Sequence, residues 1–128
     1  MARKVLQIVE SAYRATIEEQ DDPVVWILHA MKGAGADHGV VLSGNAVNYA
    51  VMAQGVPPLM FGDKVQKHAP RIAEQLAGLI AKGVEVMVVR ECLTARGIDA
   101  EELMDGLTMV KQSALPKVMN GYDQVWHW

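Results

Sequence analysis

Apolar residues come along this chain in short bursts, and the period changes from one burst to the next. The first, Val5-Leu6-Gln7-Ile8-Val9, is a β-branched run of the kind that forms a buried strand. Asp21-Asp22-Pro23 reads as a helix start, with Asp capping and Pro at the first helical position. The following Val24 to Met31 also suits a strand, but that cap and the closing Gly33 and Gly35 favour a helix. His38-Gly39-Val40-Val41-Leu42-Ser43 is a second short strand; Ser43-Gly44-Asn45 turns the chain, and Ala46 to Gln54 is expected as a short helix. Gly55 to Pro58 reads as a loop.

The clearest helical period is Ile72, Leu76, Leu79 and Ile80, one apolar face on a helix starting at Gly62 or Pro70 and ending at Lys82. Gly83 is its natural stop. Val84 to Val89 predicts a third strand, and Cys92 to Arg96 a helical turn ended by Gly97. Asp99 caps a helix whose third position is Glu102, with Ile98 and Leu103 placed as a hydrophobic staple and Gly106 as the end. Leu107 to Val110 is a fourth strand. A last helix, Ser113 to Met119, is expected to be interrupted early by Pro116, and Gln124 to Trp128 forms a final strand after the turn at Asn120-Gly121. Strands alternating with helices predict an α/β fold with a mainly parallel sheet covered on both faces.

Composition narrows the classes. The chain has 128 residues, half of them hydrophobic, which fits one domain over 1–128. A net charge of -3 gives no support to a nucleic-acid or anionic-membrane partner. One cysteine rules out an intrachain disulfide. The apolar stretch behind Met1-Ala2-Arg3-Lys4 is too short for a signal peptide, and no run approaches the roughly 20 residues of a membrane span. A cytoplasmic location is the expectation.

The thiol is the first candidate for chemistry. Cys92 follows a buried strand and opens a helical turn, in Val88-Val89-Arg90-Glu91-Cys92-Leu93-Thr94-Ala95-Arg96-Gly97. Ligands bind outside the carboxyl ends of parallel strands. Helix N-termini and the flanking Arg90 and Arg96 favour a thiolate there, whereas Glu91 opposes it. Free cysteines are also among the most buried residues, so spacing leaves an inert packing role open. Ser43-Gly44-Asn45 suits a tight strand-to-helix turn and can also bring N–H groups to an anion. No phosphate loop or dinucleotide fingerprint is present.

His29, His38, His68 and His127 are scattered without a ligand pair, so neither a metal nor another cofactor is expected. His29 reads as a core-edge or surface residue, and His38 as part of a turn. The methionines read as core filler. The apolar stretch Met52 to Phe61 either folds back on the core or makes a subunit contact. Trp126 and Trp128 alternate with His127 and are expected buried on one face of the last strand or in an interface.

Val84 to Gly97, with Ile98-Asp99 and the later Leu103-x-x-Gly106, resembles the DsrE/DsrF-like family of sulfur-relay proteins. In that family a parallel strand runs into a cysteine-bearing segment ending in Ala-Arg-Gly-Ile. The resemblance extends to Val40-Val41-Leu42-Ser43-Gly44-Asn45-Ala46-Val47 and to the strand after Asn120-Gly121-Tyr122-Asp123. It implies a three-layer α/β/α domain with about five strands that assembles into homotrimers or homohexamers. It also implies a sulfurtransferase-like carrier, with Cys92 holding sulfane sulfur as a persulfide between donor and acceptor proteins. Arg90 and Arg96 would tune its charge, and Gly44 and Asn45 would line its approach. In the sulfur-transferring subunits of the family the working cysteine often lies three residues earlier, at the position of Val89; other members carry it where Cys92 stands. The alternative is a non-catalytic oligomeric protein that binds a small ligand near Ser43-Gly44-Asn45 or serves as a scaffold.

Overall fold

The computed structural model describes residues 3–13, 22–54 and 57–128; Asp21 of the expected cap, and Gly55 and Val56 of the expected loop, lie outside them. In chain order the elements are β1 (Lys4–Val9), α1 (Pro23–Gly33), β2 (Asp37–Leu42), a 3-10 segment (Gly44–Ala50), β3 (Met60–Phe61), β4 (Lys64–Val65), α2 (Ile72–Ala81), β5 (Val86–Val89), α3 (Arg90–Ala95), a 3-10 turn (Ala100–Glu102), β6 (Thr108–Val110), a 3-10 turn (Gln112–Ala114), α4 (Leu115–Met119) and β7 (Gln124–His127).

Five strands form one sheet in the order β6-β5-β2-β1-β7, and every neighbouring pair is parallel. The short apolar bursts are its central strands, buried on both faces as parallel pairing requires. On one face Val9, Val40, Leu42, Val86 and Val88 pack against Val24, Val25 and Leu28 of α1 and Ile72, Leu76 and Leu79 of α2. On the other, Leu6, Val41, Met87 and Val89 meet Leu115, Val118 and Met119 of α4. The result is a three-layer α/β/α arrangement with one thick layer and one thin. Gly39 is required by the thin layer: a Cβ there would stand 2.2 Å from the Tyr122 hydroxyl oxygen.

Several boundaries differ from the sequence expectation. The helix expected from Gly62 or Pro70 begins only at Ile72. Gly62, at φ +67°, instead turns the hairpin β3–β4, which leaves Met60, Phe61 and Val65 exposed. The helix expected over Ala46 to Gln54 is a 3-10 segment that already starts at Gly44 and ends at Ala50. Pro116 does not interrupt a helix; it lies in the first turn of α4, where its missing N–H costs nothing. The capping box is present: the Glu102 carboxylate accepts the Asp99 N–H at 2.8 Å, and Ile98 and Leu103 both pack on the core.

Asp22 caps α1. Its Oδ1 accepts the Val24 and Val25 N–H groups at 3.0 Å each, and its Oδ2 accepts the hydroxyl of the fully buried Tyr49. That hydroxyl in turn accepts the Tyr13 N–H. One carboxylate thus joins the segment after β1, the start of α1 and the 3-10 segment after β2. His29 also bridges elements: its Nδ1 accepts from Lys82 Nζ at 2.9 Å, so its Nε2 donates to the Gln75 carbonyl at 2.7 Å.

His38 is not part of a turn. It lies within β2, only 4% exposed, and neither ring nitrogen has a partner among the described residues. Burial pushes its pKa down; Lys32 adds to this and Asp37 opposes it. The unfolded chain therefore takes up a proton at higher pH than the folded one. Stability is expected to be flat above about pH 6.5, the unperturbed histidine value, and to fall as the pH drops below it. Thermal melts from neutral to mildly acidic pH check this: a His38→Met variant should lose that part of the slope, and an unchanged slope refutes the assignment.

Candidate functional site

β5 passes into α3 without a loop, because Val89 is still extended (φ -78°, ψ 118°) while Arg90 is already helical. Cys92 is thereby carried to the carboxyl end of the sheet. It is part-buried and touches the apolar clusters of both faces. The neighbouring strand β2 ends beside it and supplies Ser43 and Gly44. The Gly44 N–H donates to Cys92 Sγ at 3.3 Å, and Ser43 Oγ lies 3.8 Å from the same sulfur.

Gly44 has two reasons to be glycine. Its φ is +53°, and a Cβ would stand 2.9 Å from Cγ of Glu10. Only this turn aims an N–H at the sulfur while the backbone runs close to β1. The bond orients the thiol and supplies a donor for the negative charge a sulfur nucleophile carries.

Arg96 ties the Cys92 backbone to the turn after β2. Its Nη1 donates to the Cys92 carbonyl at 3.1 Å, and its Nε and Nη2 donate to Asn45 Oδ1 at 3.1 and 2.8 Å. Cys92, Gly44, Asn45 and Arg96 are therefore one constellation joining the ends of β2 and β5. Arg90 points elsewhere, into a groove with Glu91, Thr94, Ala95 and Lys111. Glu91, which would oppose a thiolate, accepts the Gln112 N–H at 3.0 Å through both oxygens.

Two further residues reach this end of the sheet. Glu10, just past β1, leans on Gly44, and its Oε2 lies 2.6 Å from His127 Nε2 on β7. They sit where the topology switches: β1 leads to β2 across the thick layer, and β7 arrives from the thin one. Such crevices are where open parallel sheets bind ligands. Sequence reasoning missed the pair, since nothing local says that the last strand lies beside the first. Trp128 packs on the thick-layer core with its Nε1 donating to the buried Gln7 Oε1 at 2.9 Å, whereas Trp126 remains 41% exposed.

Among the described residues, no three His, Cys, Asp or Glu side chains gather as a metal site, and no helix is long and apolar enough to cross a membrane. The constellation holds a thiol on a part-buried residue, its sulfur facing a fixed N–H donor, with a guanidinium on the carbonyl of the same residue.

The model of the DsrE/DsrF-like family matches residues 5–127. The chain belongs to that family. The ychN protein from E. coli has the same fold, with a TM-score of 0.73 over all of both chains at 20% identity. A protein of unknown function, MTH1491 from Methanobacterium thermoautotrophicum, is similar at a TM-score of 0.64 and 13% identity, again over the whole of both chains. No curated protein matches the chain. As a DsrE/DsrF-like chain it carries its one cysteine inside the helix after β5, and the residue at the end of that strand is Val89.

Proposed function

We propose that this DsrE/DsrF-like protein carries sulfane sulfur as a persulfide on Cys92. The observation that carries the reading is the part-buried Sγ held by the Gly44 N–H at the carboxyl end of the sheet. In the loading step the Cys92 thiolate attacks the outer sulfur of a donor persulfide. The new S–S bond forms as the donor's S–S bond breaks, and the donor leaves as a thiolate. In the unloading step an acceptor thiolate attacks the outer sulfur now on Cys92, and the Cys92 thiolate leaves. Neither step changes the total number of electrons, so no oxidant and no metal is needed. The acceptor thiol must come from a partner protein, because the chain has one cysteine. Arg96 fixes the Cys92 backbone through its carbonyl and holds Asn45 at the rim.

The direct test is an intact mass after mixing with a small-molecule persulfide. A one-sulfur increment, removed again by an added thiol, is expected. A protein that stays unmodified under conditions that load other persulfide carriers would sink the proposal.

The same reading includes self-association into a trimer or hexamer in the cytoplasm. The self-association is supported by the hairpin β3–β4, whose adjacent Met60 and Phe61 are 61% and 64% exposed. Apolar clusters of this kind on a small protein are typical of contact surfaces. In sedimentation velocity the wild type is expected to run as an oligomer and Phe61→Asp as smaller species; a monomeric wild type overturns this part.

A further inference from the structure

The groove that holds Arg90 lies on the opposite side of α3 from the sulfur. Arg90, Glu91, Thr94 and Ala95 share one side of that helix, and Lys111 borders the groove from the end of β6; together they line an open depression of about 430 Å3. Cys92 and Leu93 face the other way, toward the core and Gly44. The lining is mostly apolar surface from Thr94 and Ala95 and the stems of the longer side chains, with two cationic heads. Neither Arg90 nor Lys111 forms an ion pair or a side-chain hydrogen bond among the described residues. The one carboxylate in the groove, Glu91, is already occupied by the Gln112 N–H. What sets the groove apart is that two cationic heads and one carboxylate converge on a shared apolar floor, which leaves it net positive on a chain of net charge -3.

We propose that this groove docks an acidic, apolar-anchored chain segment of the partner protein that exchanges sulfur with Cys92. The inference rests on the carrier reading for its purpose, though not for its geometry. A small anion seated here would have the body of α3, roughly 10 Å across, between itself and the sulfur. Only a chain with length to spare can hold the groove with its acidic residues and still bring a thiol over the helix. The two cations then set which partner docks and how fast it arrives, since charge complementarity governs encounter and specificity.

The test uses the full-length protein and a fluorescein-labelled peptide of alternating Glu and Leu without cysteine, so that binding is independent of sulfur chemistry. Its counterpart has Lys in place of Glu. The Glu peptide is expected to bind at low salt, to weaken as salt rises, and to bind about tenfold less tightly to an Arg90→Glu/Lys111→Glu double variant. The Lys peptide should show no preference for the wild type over that variant. Should the double variant fold poorly by circular dichroism, Arg90→Gln/Lys111→Gln removes the charge more gently. Equal binding of the Glu peptide to wild type and variant, or none at low salt, overturns the proposal. Sulfur loading of the wild type from a small persulfide, measured alongside, tests the carrier reading alone, so the two can fail separately.

Discussion

A Cys92→Ser variant is expected to take up no sulfur from a persulfide donor, a complete loss rather than a partial one. The chain has no second thiol to stand in, and a serine hydroxyl is not ionised at neutral pH as a thiol partly is. The substitution is nearly isosteric and the site is part-buried, with the Gly44 N–H 3.3 Å away and ready to donate to oxygen as it does to sulfur. The melting temperature should therefore stay close to that of the wild type. Intact mass after loading reads the first expectation and a thermal melt the second. A sulfur increment that survives in Cys92→Ser would place the carrier site elsewhere and remove the basis of the proposed function.

The largest expected effect on stability belongs to Asp22→Ala. Loss of a helix cap costs about 1 kcal/mol. Here the same change also takes away the acceptor of the fully buried Tyr49 O–H, while the Tyr49 oxygen keeps the Tyr13 N–H. A buried donor that loses its acceptor costs about 1–3 kcal/mol more. Together the loss should be about 3 kcal/mol in urea unfolding, and the melting temperature should fall by about 10 °C. Asp22→Asn keeps an oxygen for the cap and should cost clearly less. Pairing Asp22→Ala with Tyr49→Phe should cost less than the sum of the two single losses, since both changes remove the same O–H to carboxylate bond. Additive losses in that double variant would show that the two side chains do not act as a unit.

The carrier reading and the fold interlock through one turn. Ser43-Gly44-Asn45 is tied to β1 by the Ser43 N–H to the Val9 carbonyl at 2.9 Å and by the Ala46 N–H to the Glu10 carbonyl at 3.2 Å. The N–H donor at the sulfur is therefore fixed by the central strands rather than by a flexible loop. A donor held in this way needs little reorganisation when charge develops on sulfur.

Much of this was legible in the sequence. The five strands of the sheet follow from apolar runs too short for helices and bounded by Gly, Asn, Asp and Pro, and the parallel arrangement follows from the helices between them. The position of Cys92 after a buried strand, the capping box at Asp99, and the family all follow from local pattern. What the sequence left open had non-local causes. The hairpin at Gly62 was hidden because its apolar residues have no partner within the chain's core to give them a period. The sequence put His38 at the head of the second strand but did not show its burial, which comes from neighbouring strands and not from its own flanks.

Local pattern, then, determined which segments are strands and helices and which single atom is the candidate nucleophile. Tertiary structure alone decided what surrounds that atom. The order β6-β5-β2-β1-β7 brings Gly44 to the sulfur across 48 positions of sequence, and brings His127 to Glu10 across 117. Strand order is set by how two apolar faces are covered at once, and that is a property of the whole packed sheet. The direction of a side chain on a helix is decided in the same way. Arg90 and Arg96 look equivalent around Cys92 in the sequence, yet packing of Leu93 into the core turns one toward Asn45 and the other into the groove beside Lys111.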